Sequence, residues 1–477
     1  MSASNPRRWW ALLVLATAQF MVIMDTSIIG VALPDMQRDL GFSPGGLQWV
    51  FNAYVVVFGG LLLLGGRLAD LLGARRVFAA GWAVLIGGSV VAAAAQDAWV
   101  ELLGRGVQGV GGALITPAAM ALLMATFGGN PKELGKAMAL YGAAAPAGGT
   151  AGVFLGGVLT QWLSWPWVFV IYIPIGLATL AAVPAVLPAV AARRGSVDLL
   201  GAVSVTGGLA LAVLAVVRAP EQGWTAASTL LELGGAALLL VLFAIVQKAV
   251  REPLAPPSIW RVPGLAAANL AFALLGAAWI PAWYFLNLYL QQVLGFGAFA
   301  SGAALLPMTV TIMILMVGVT GRLMARFGMK PLAVTGLLVL ALGLAGLTFV
   351  RADGSFAADV LAASLVAALG MSLAFIPTMM SALAGAPAEQ AGLASGIVNT
   401  SYQVGSALGL AGATAFAASH GANALGDAVR LTEGFRTAFL VAAVIAAVGG
   451  VAALVLLRTP RAAASQQVDA PEAERVA

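Results

Sequence analysis

The sequence predicts an all-helical membrane protein of fourteen transmembrane helices, built as two six-helix bundles with a two-helix insert. Three observations carry this prediction. The chain has 477 residues, 61% hydrophobic and only 9% charged, whereas a soluble domain carries roughly 25% charged residues. Fourteen apolar runs reach or approach the 20 or so residues that span a bilayer. A loop sequence recurs in equivalent places of the two halves. A soluble enzyme, a nucleic-acid-binding domain and a secreted scaffold are excluded by this composition, and the net charge of +5 resides in short loops between apolar runs. Cysteine is absent and His420 is the sole histidine, so a disulfide framework, a thiolate metal site and a histidine relay are excluded too.

The first run, 9–33, follows Arg7 and Arg8. Ala16-Thr17-Ala18 imitates a signal-peptide cleavage site, but the apolar stretch continues to Leu33, too far for a signal sequence. Charge, Pro and Gly between Asp35 and Pro44 separate it from the second run, 47–68, and Arg67 to Arg76 separate that from the third, 77–95. The fourth and fifth, 100–125 and 137–160, flank Gly128 to Lys136. The sixth, 167–190, ends before Arg193. Runs 199–217 and 227–247 form the insert, closed by Arg251 to Pro263. Six more follow: 265–290, 302–323, 331–349, 357–380, 395–417 and 436–458. A β-barrel would show alternating ten-residue segments instead.

Orientation follows from the Lys and Arg residues. With the N-terminus in the cytoplasm, 18 of the 24 fall on the cytoplasmic side; Arg38, Arg218, Arg351, Arg430 and Arg436 fall outside, and Arg105 lies within a span. Both termini are therefore expected in the cytoplasm. The repeat is Gly66-Arg67-Leu68 with Gly73, Arg75 and Arg76 in the first half, against Gly321-Arg322-Leu323 with Gly328 and Lys330 in the second; Ala325 stands where Asp70 stands. Offset repeats of this kind indicate halves related by an axis along the membrane normal, a transporter arrangement with its substrate site between the halves. The expected division is a first bundle over 1–192, insert and linkers over 193–261, a second bundle over 262–460 and a disordered cytoplasmic tail over 461–477.

Asp25 and Arg105 are charges placed in spans. A charge at the bilayer centre costs about 2.5–3.5 kcal/mol on the insertion scale, so it normally faces a cavity or a partner. Helix 1 runs outward and helix 4 inward, which puts Asp25 and Arg105 at compatible depths in the outer half. The expected pair has Arg105 stabilising the Asp25 carboxylate in one conformation and releasing it in the other. The alternatives are a structural ion pair, and an Arg105 that only bonds backbone carbonyls. Glu101 is expected to face water, and Glu232 to lie at the interface. Gly148, Gly152 and Gly156, spaced by four, share one helix face and favour close approach of another helix. Polar groups within spans are pocket candidates because facing lipid unpaired is costly: Asn52, Tyr54, Gln108, Asn287, Gln292 and Asn399, besides Asp25. Trp9, Trp10, Trp162, Trp165 and Trp167 are expected in the interfacial belts. No phosphate-binding loop is found, so the energy source is expected to be an ion gradient rather than a nucleotide, with no cofactor.

Several of these segments are familiar. Gly66-Arg67-Leu68-Ala69-Asp70-Leu71-Leu72-Gly73-Ala74-Arg75-Arg76 resembles the cytoplasmic signature of the major facilitator superfamily. Asp25-Thr26-Ser27-Ile28-Ile29-Gly30-Val31-Ala32-Leu33-Pro34 resembles the first-helix motif of its 14-helix drug:proton antiporter family. So do Gln48-Trp49 with Tyr54, Arg105-Gly106-Val107-Gln108-Gly109, the glycines 148, 152, 156 and 157, and Trp165, Trp167, Phe169, Pro174 and Gly176. Tyr289-Leu290-Gln291-Gln292, Pro307 and Asn399-Thr400 fit the second half. Departures are Gly30 for a usual Asn, Val153 for the Pro of the antiporter motif, Pro166 and Tyr172 for Arg and Asn, and Tyr402 for a common Arg.

The resemblance implies a major facilitator fold and proton-coupled efflux of lipophilic, often cationic drugs or antibiotics across a bacterial plasma membrane. Asp25 and Arg105 would handle the proton. Asp70, Arg75, Arg76, Gly66 and Gly73, with the three helix-5 glycines, would govern the conformational change. The expected partners are a small lipophilic substrate, protons and membrane lipid, with no nucleic acid, and a monomer is the expected state. An exporter of one endogenous metabolite or antibiotic, and a non-transporting sensor or scaffold on the same fold, are the alternatives.

Overall fold

The computed structural model describes residues 7–189, 196–383 and 391–457. Its described residues are predominantly helical, without a strand, and the chain order gives fourteen long helices. They are α1 Arg7–Leu40, α2 Trp49–Leu72, α3 Ala74–Ala93, α4 Ala98–Phe127 and α5 Pro131–Trp162. α6 is Trp167–Val186, α7 Leu199–Gln222, α8 Ala227–Ala249, α9 Leu265–Val293 and α10 Ala298–Phe327. The last four are α11 Met329–Leu347, α12 Phe356–Leu383, α13 Ala391–Ala418 and α14 Ala428–Leu456. Thirteen of them are long and apolar enough to cross a membrane. The other, α13, carries Asn399, Thr400, Ser401, Gln403 and Ser406, which lower its hydropathy. The tail after Pro460, expected to be disordered, lies outside the described residues.

Several boundaries differ from expectation: the fifth helix begins at Pro131, not 137, and the last at Ala428, not 436. The first helix passes through Pro34 and ends at Leu40, not Leu33. Pro34 is tolerated because neighbouring helices re-satisfy the backbone groups it frees, and the charges beyond it include the paired Asp35 and Arg38.

Each half repeats the same packing. The first helix of the half lies on the fifth (α1 on α5, α9 on α13), and the third on the fourth (α3 on α4, α11 on α12). The halves meet along two seams of matching composition, α5 with α10 and α13 with α2. The repeated loop has the same backbone device twice. Gly73 between α2 and α3 has φ 91°, and Gly328 between α10 and α11 has φ 86°, a region that a side chain disfavours and glycine enters freely.

Even-numbered antiparallel helices bring both termini to one end of the bundle, the termini side. The opposite end, the far side, holds two of the three hydrogen bonds that join the halves among the described residues. Gln291 Nε2 donates to Val31 O at 3.0 Å, and Gln292 Nε2 to Gln37 Oε1 at 3.1 Å. The third, Thr400 Oγ1 to Gly59 O at 3.0 Å, lies near mid-depth. Gly157 and Gly302 let α5 and α10 touch at the far side: a Cβ on Gly302 would stand 2.6 Å from Val153 O. Trp162 packs against Phe299 across the same seam, the rings tilted by 46° with centroids 4.9 Å apart. The far side is shut.

The insert packs α7 on α8 and lays α7 along the α2–α13 seam. Its α8 turns Leu230, Leu231, Leu238, Val241 and Ile245 outward. Arg218 Nη1 and Glu232 Oε1 pair at 3.0 Å between the two insert helices. Its two linkers are fastened together. Asp198 caps α7 by accepting from Gly201 N at 2.7 Å and also accepts from Gln247 Nε2 at 2.6 Å, while Gln247 Oε1 accepts from Ala255 N at 2.8 Å. Arg67 of α2 donates to Ser196 O at 3.2 Å and pairs with Glu252, whose carboxylate also takes the Ser196 amide and hydroxyl.

Candidate functional site

The site grows from two residues whose helical positions aim them at one point. Asp25 lies midway along α1, and Arg105 two turns into α4. The structure brings them into direct contact: Arg105 Nη1 donates to Asp25 Oδ1 at 2.9 Å, and Nη2 stands 2.7 Å from Oδ2. Both side chains are buried, at 1% and 0% exposure. A guanidinium suits this place because its several N–H groups let it hold the carboxylate and other acceptors together; Nη2 and Oδ2 are in ion-pair contact without a hydrogen bond among the described residues.

Arg105 is held from three further directions. Its Nε donates to Val50 O at 2.9 Å, at the start of α2, and Nη1 also donates to Gln108 Oε1 at 2.6 Å. Gln108 Nε2 in turn donates to Ser89 Oγ at 2.9 Å, and Ser89 to Leu85 O at 2.8 Å. The guanidinium carbon lies 4.7 Å from the Tyr54 ring centroid and 5.8 Å from that of Phe169, within cation–π range. Tyr172 OH donates to Met21 O, one turn before Asp25, at 3.4 Å. Burying an ion pair is favourable only when the remaining donors and acceptors are met, and this surround of α1, α2, α3, α4 and α6 meets most of them.

Of the other sequence candidates, Gln108 is engaged behind Arg105, and Tyr54 forms the wall of the pair with its hydroxyl unpartnered among the described residues. Asn52 is buried with neither side-chain atom bonded, and Asn287 donates to Trp283 O while its Oδ1 has no partner. A Cβ on Gly30 would stand 3.0 Å from Asn287 Nδ2 and 3.1 Å from Trp283 Nε1. The glycine found there thus makes room for the second half to approach α1. Gln292 belongs to the far-side seam, away from the pair. Asn399 bonds its own helix at Ser395 O and is partly exposed.

Gly148, Gly152 and Gly156 all face α1; a Cβ on them would come within 2.3, 2.8 and 2.6 Å of the carbonyls of Phe20, Met24 and Ile28. Sequence reasoning passed over their counterparts, Gly405 and Gly409 of α13, where a Cβ would come within 1.9 and 2.3 Å of the carbonyls of Ala273 and Ala277 on α9. The signal was present as the same four-residue spacing. Asp70 and Arg76 are exposed, and Asp70 makes no hydrogen bond or ion pair among the described residues; Arg75 reaches Leu187 O at 3.4 Å. Gly66 leans on Pro117 of α4.

Two expectations are corrected. Glu101 does not face water: it is fully buried, and both its oxygens lack partners. Depth placed it near the helix end, but depth does not choose a face. Four residues before Arg105, it shares the face that points into the bundle. Trp165 is not in an interfacial belt either, since it is buried with Nε1 donating to Asp39 Oδ2 at 2.8 Å. Trp10, Trp162 and Trp167 are exposed, as a belt requires.

Two six-helix halves of matching packing, with a buried charge pair inside the first, define a multi-pass membrane transporter. A family model described as Major Facilitator Superfamily matches residues 15–410, and the chain belongs to that superfamily. It is 37% identical over 405 residues to the cephamycin export protein of Amycolatopsis lactamdurans, covering 84% of this chain and 83% of that one. It is 36% identical over 478 residues to a puromycin resistance protein of Streptomyces alboniger, covering 97% and 94%. An auto-inhibited peptide transporter of the POT family, at 17% identity, superposes with a TM-score of 0.65 over 93% of this chain and 96% of that one, a likeness of fold.

Proposed function

We propose that the chain expels a small lipophilic, often cationic antibiotic or drug across the bacterial plasma membrane in exchange for protons. The Asp25–Arg105 pair carries this reading. As an ion pair the site is neutral. Protonating Asp25 adds one positive charge, and so does a cationic substrate. Both together would put two unit charges in one desolvated site, a repulsion of about 4 kcal/mol at 4 Å and an effective dielectric of 20. Proton and substrate therefore exclude each other, which is what exchange requires. A proton moving inward gains about 2.3 kcal/mol per 100 mV and about 1.36 kcal/mol per pH unit, enough to sustain a useful concentration ratio without a nucleotide or cofactor.

With both termini in the cytoplasm, the far side is the outer face, and the arrangement described here is closed outward. Asp70, exposed and unpaired among the described residues, is then available to pair when the cytoplasmic side closes instead. Asn52 and Asn287, buried polar groups with open valences, are the substrate contacts best supported; Arg75, Arg76, Gly66 and Gly73 shape the cytoplasmic loop. A narrower specificity is the second reading, favoured by relatives whose names each give one antibiotic.

The test uses protein in liposomes with an internal pH dye, an imposed proton gradient, and a panel of cationic and neutral lipophilic drugs. The expected result is drug-triggered proton flux in wild type, lost in Asp25→Asn. Proton flux triggered by one compound alone supports the narrow reading; flux that persists in Asp25→Asn removes Asp25 from the mechanism.

A further inference from the structure

Glu101 has no part in the mechanism above, yet it is placed beside it. It is an acid with 0% exposure in the second turn's reach of Arg105, four residues away on the same face of α4. Neither carboxyl oxygen has a hydrogen-bond partner among the described residues. The charged groups acting on it are Arg105 and Asp25. The neighbouring helices bring no other cation near: α3 carries Arg75 and Arg76 at its opposite end, and α2 carries Arg67 and Asp70 at its opposite end. α1 brings Asp25 and, toward its far-side end, Asp35, Arg38 and Asp39; Asp97 precedes α4, α5 carries Glu133 and Lys136 at its opposite end, and Tyr54 of α2 and Tyr172 of α6 are the other titratable groups around the pair. One guanidinium thus serves two buried carboxyls, and in the structure it grips Asp25. An ionised carboxyl left bare in such a place would be costly, whereas a carboxylic acid is a neutral group with a proton to give.

We propose that Glu101 is a second proton-carrying site, lying on the far-side approach to Asp25. It holds a proton while Arg105 grips Asp25. When the proton passes from the Glu101 hydroxyl to an Asp25 oxygen, directly or through water, the O–H bond at Glu101 breaks and one forms at Asp25. The guanidinium moves the other way, from Asp25 to the new Glu101 carboxylate, one helical turn along α4. Before and after this transfer the core holds one carboxylate, one carboxylic acid and one guanidinium, so the transfer itself leaves it neutral; discharge of Asp25 then leaves one net negative charge until Glu101 is reloaded. Glu101 is then reloaded from the far side after Asp25 discharges on the termini side. The inference rests on the proton-exchange reading of Asp25 and adds the station through which the proton arrives.

The experiment compares wild type, Glu101→Gln, Glu101→Asp and Asp25→Asn in the same pH-dye liposomes over a range of external pH, with infrared spectra of each protein. Gln has nearly the shape of the protonated acid, so Glu101→Gln should fold and bind drug like wild type. Drug-triggered proton flux should fall at least tenfold and lose its dependence on external pH. Glu101→Asp should restore flux with a displaced pH profile. The infrared band of a protonated buried carboxyl should be present in wild type and absent from Glu101→Gln, a reading that does not depend on transport or on drug choice. A wild-type pH profile and band in Glu101→Gln would overturn the role of Glu101 while leaving Asp25 in place. Wild type moving no protons with any compound would overturn both.

Discussion

Substituting Gly302 by Ala perturbs the far-side seam and nothing else nearby. In the arrangement described, the added Cβ would lie 2.6 Å from Val153 O and 3.4 Å from Gly157 Cα. The first atom is backbone in the middle of α5, so no side chain can turn away. Bringing that contact to an ordinary 3.4 Å requires α5 and α10 to part by about 0.8 Å. Overpacking of this kind costs about 1–3 kcal/mol, and here it falls on the outward-closed arrangement alone. At 1.4 kcal/mol per tenfold, the balance of conformations should move by roughly 5- to 150-fold toward the outward-open one. The chain contains no cysteine, so Gln37→Cys with Gln292→Cys reports the far-side closure cleanly: their side chains touch at 3.1 Å between α1 and α9, at the same end of the bundle as the α5–α10 seam. Cross-linking of this pair should slow in the Gly302→Ala background, by at most the factor through which the balance moves. Gly30→Ala provides the comparison. Its Cβ meets only the ends of Asn287 and Trp283, which can yield, so its effect should be smaller. Equal cross-linking in Gly302→Ala and its parent would refute the reasoning, because the seam would then not separate when the protein changes state.

Two further outcomes follow from the charges. Arg105→Ala leaves the Asp25 carboxylate buried without its partner and should cost about 3–5 kcal/mol, read as a lower melting temperature in detergent; Arg105→Ala with Asp25→Asn should recover a large part of it, and no recovery would mean that the pair does not stabilise as a unit. The Glu252 carboxyl is held below its ordinary range, first by the Ser196 amide and then by Arg67. Its contribution is therefore complete above the ordinary carboxylate value and is lost as the pH falls through the lowered one. Limited proteolysis of the linkers should accelerate in acid for wild type, and at every pH for Glu252→Gln; an unchanged cleavage pattern in that variant would show that the fastening rests on other bonds.

The architecture was legible because its signals are additive over many residues. Twenty apolar residues announce a span whatever their order, and the Gly66-Arg67-Leu68 and Gly321-Arg322-Leu323 copies announced two halves. Asp25 and Arg105 were legible as charges set well inside the first bundle's spans, and compatible depth suggested their partnership. Glu101 was misplaced because depth cannot choose between the two faces of a helix end, although its spacing from Arg105 carried that information. The seams were not legible. Gly302, Gln37 and Gln291 matter through what stands opposite them on another half of the chain, and a single sequence does not say which faces meet. Gly405 and Gly409 were hidden differently, in a chain whose 58 glycines make any spacing easy to find by chance.

The fastening of Arg67, Ser196, Glu252, Asp198, Gln247 and Ala255 has a consequence for how the gene could be divided. Both ends of the insert are tied to α2, so by its bonds the insert travels with the first half although the chain enters the second half directly after it. Flexing between the halves then falls on the short stretch from Pro256 to Gly264, with its three prolines, a 3₁₀ turn and a glycine at φ 82°. A cut placed in that stretch yields two fragments, each with its own packed surfaces, which should reassemble when made separately. A cut before Ser196 would instead leave the insert on the wrong fragment, attached by sequence to one half and by its bonds to the other.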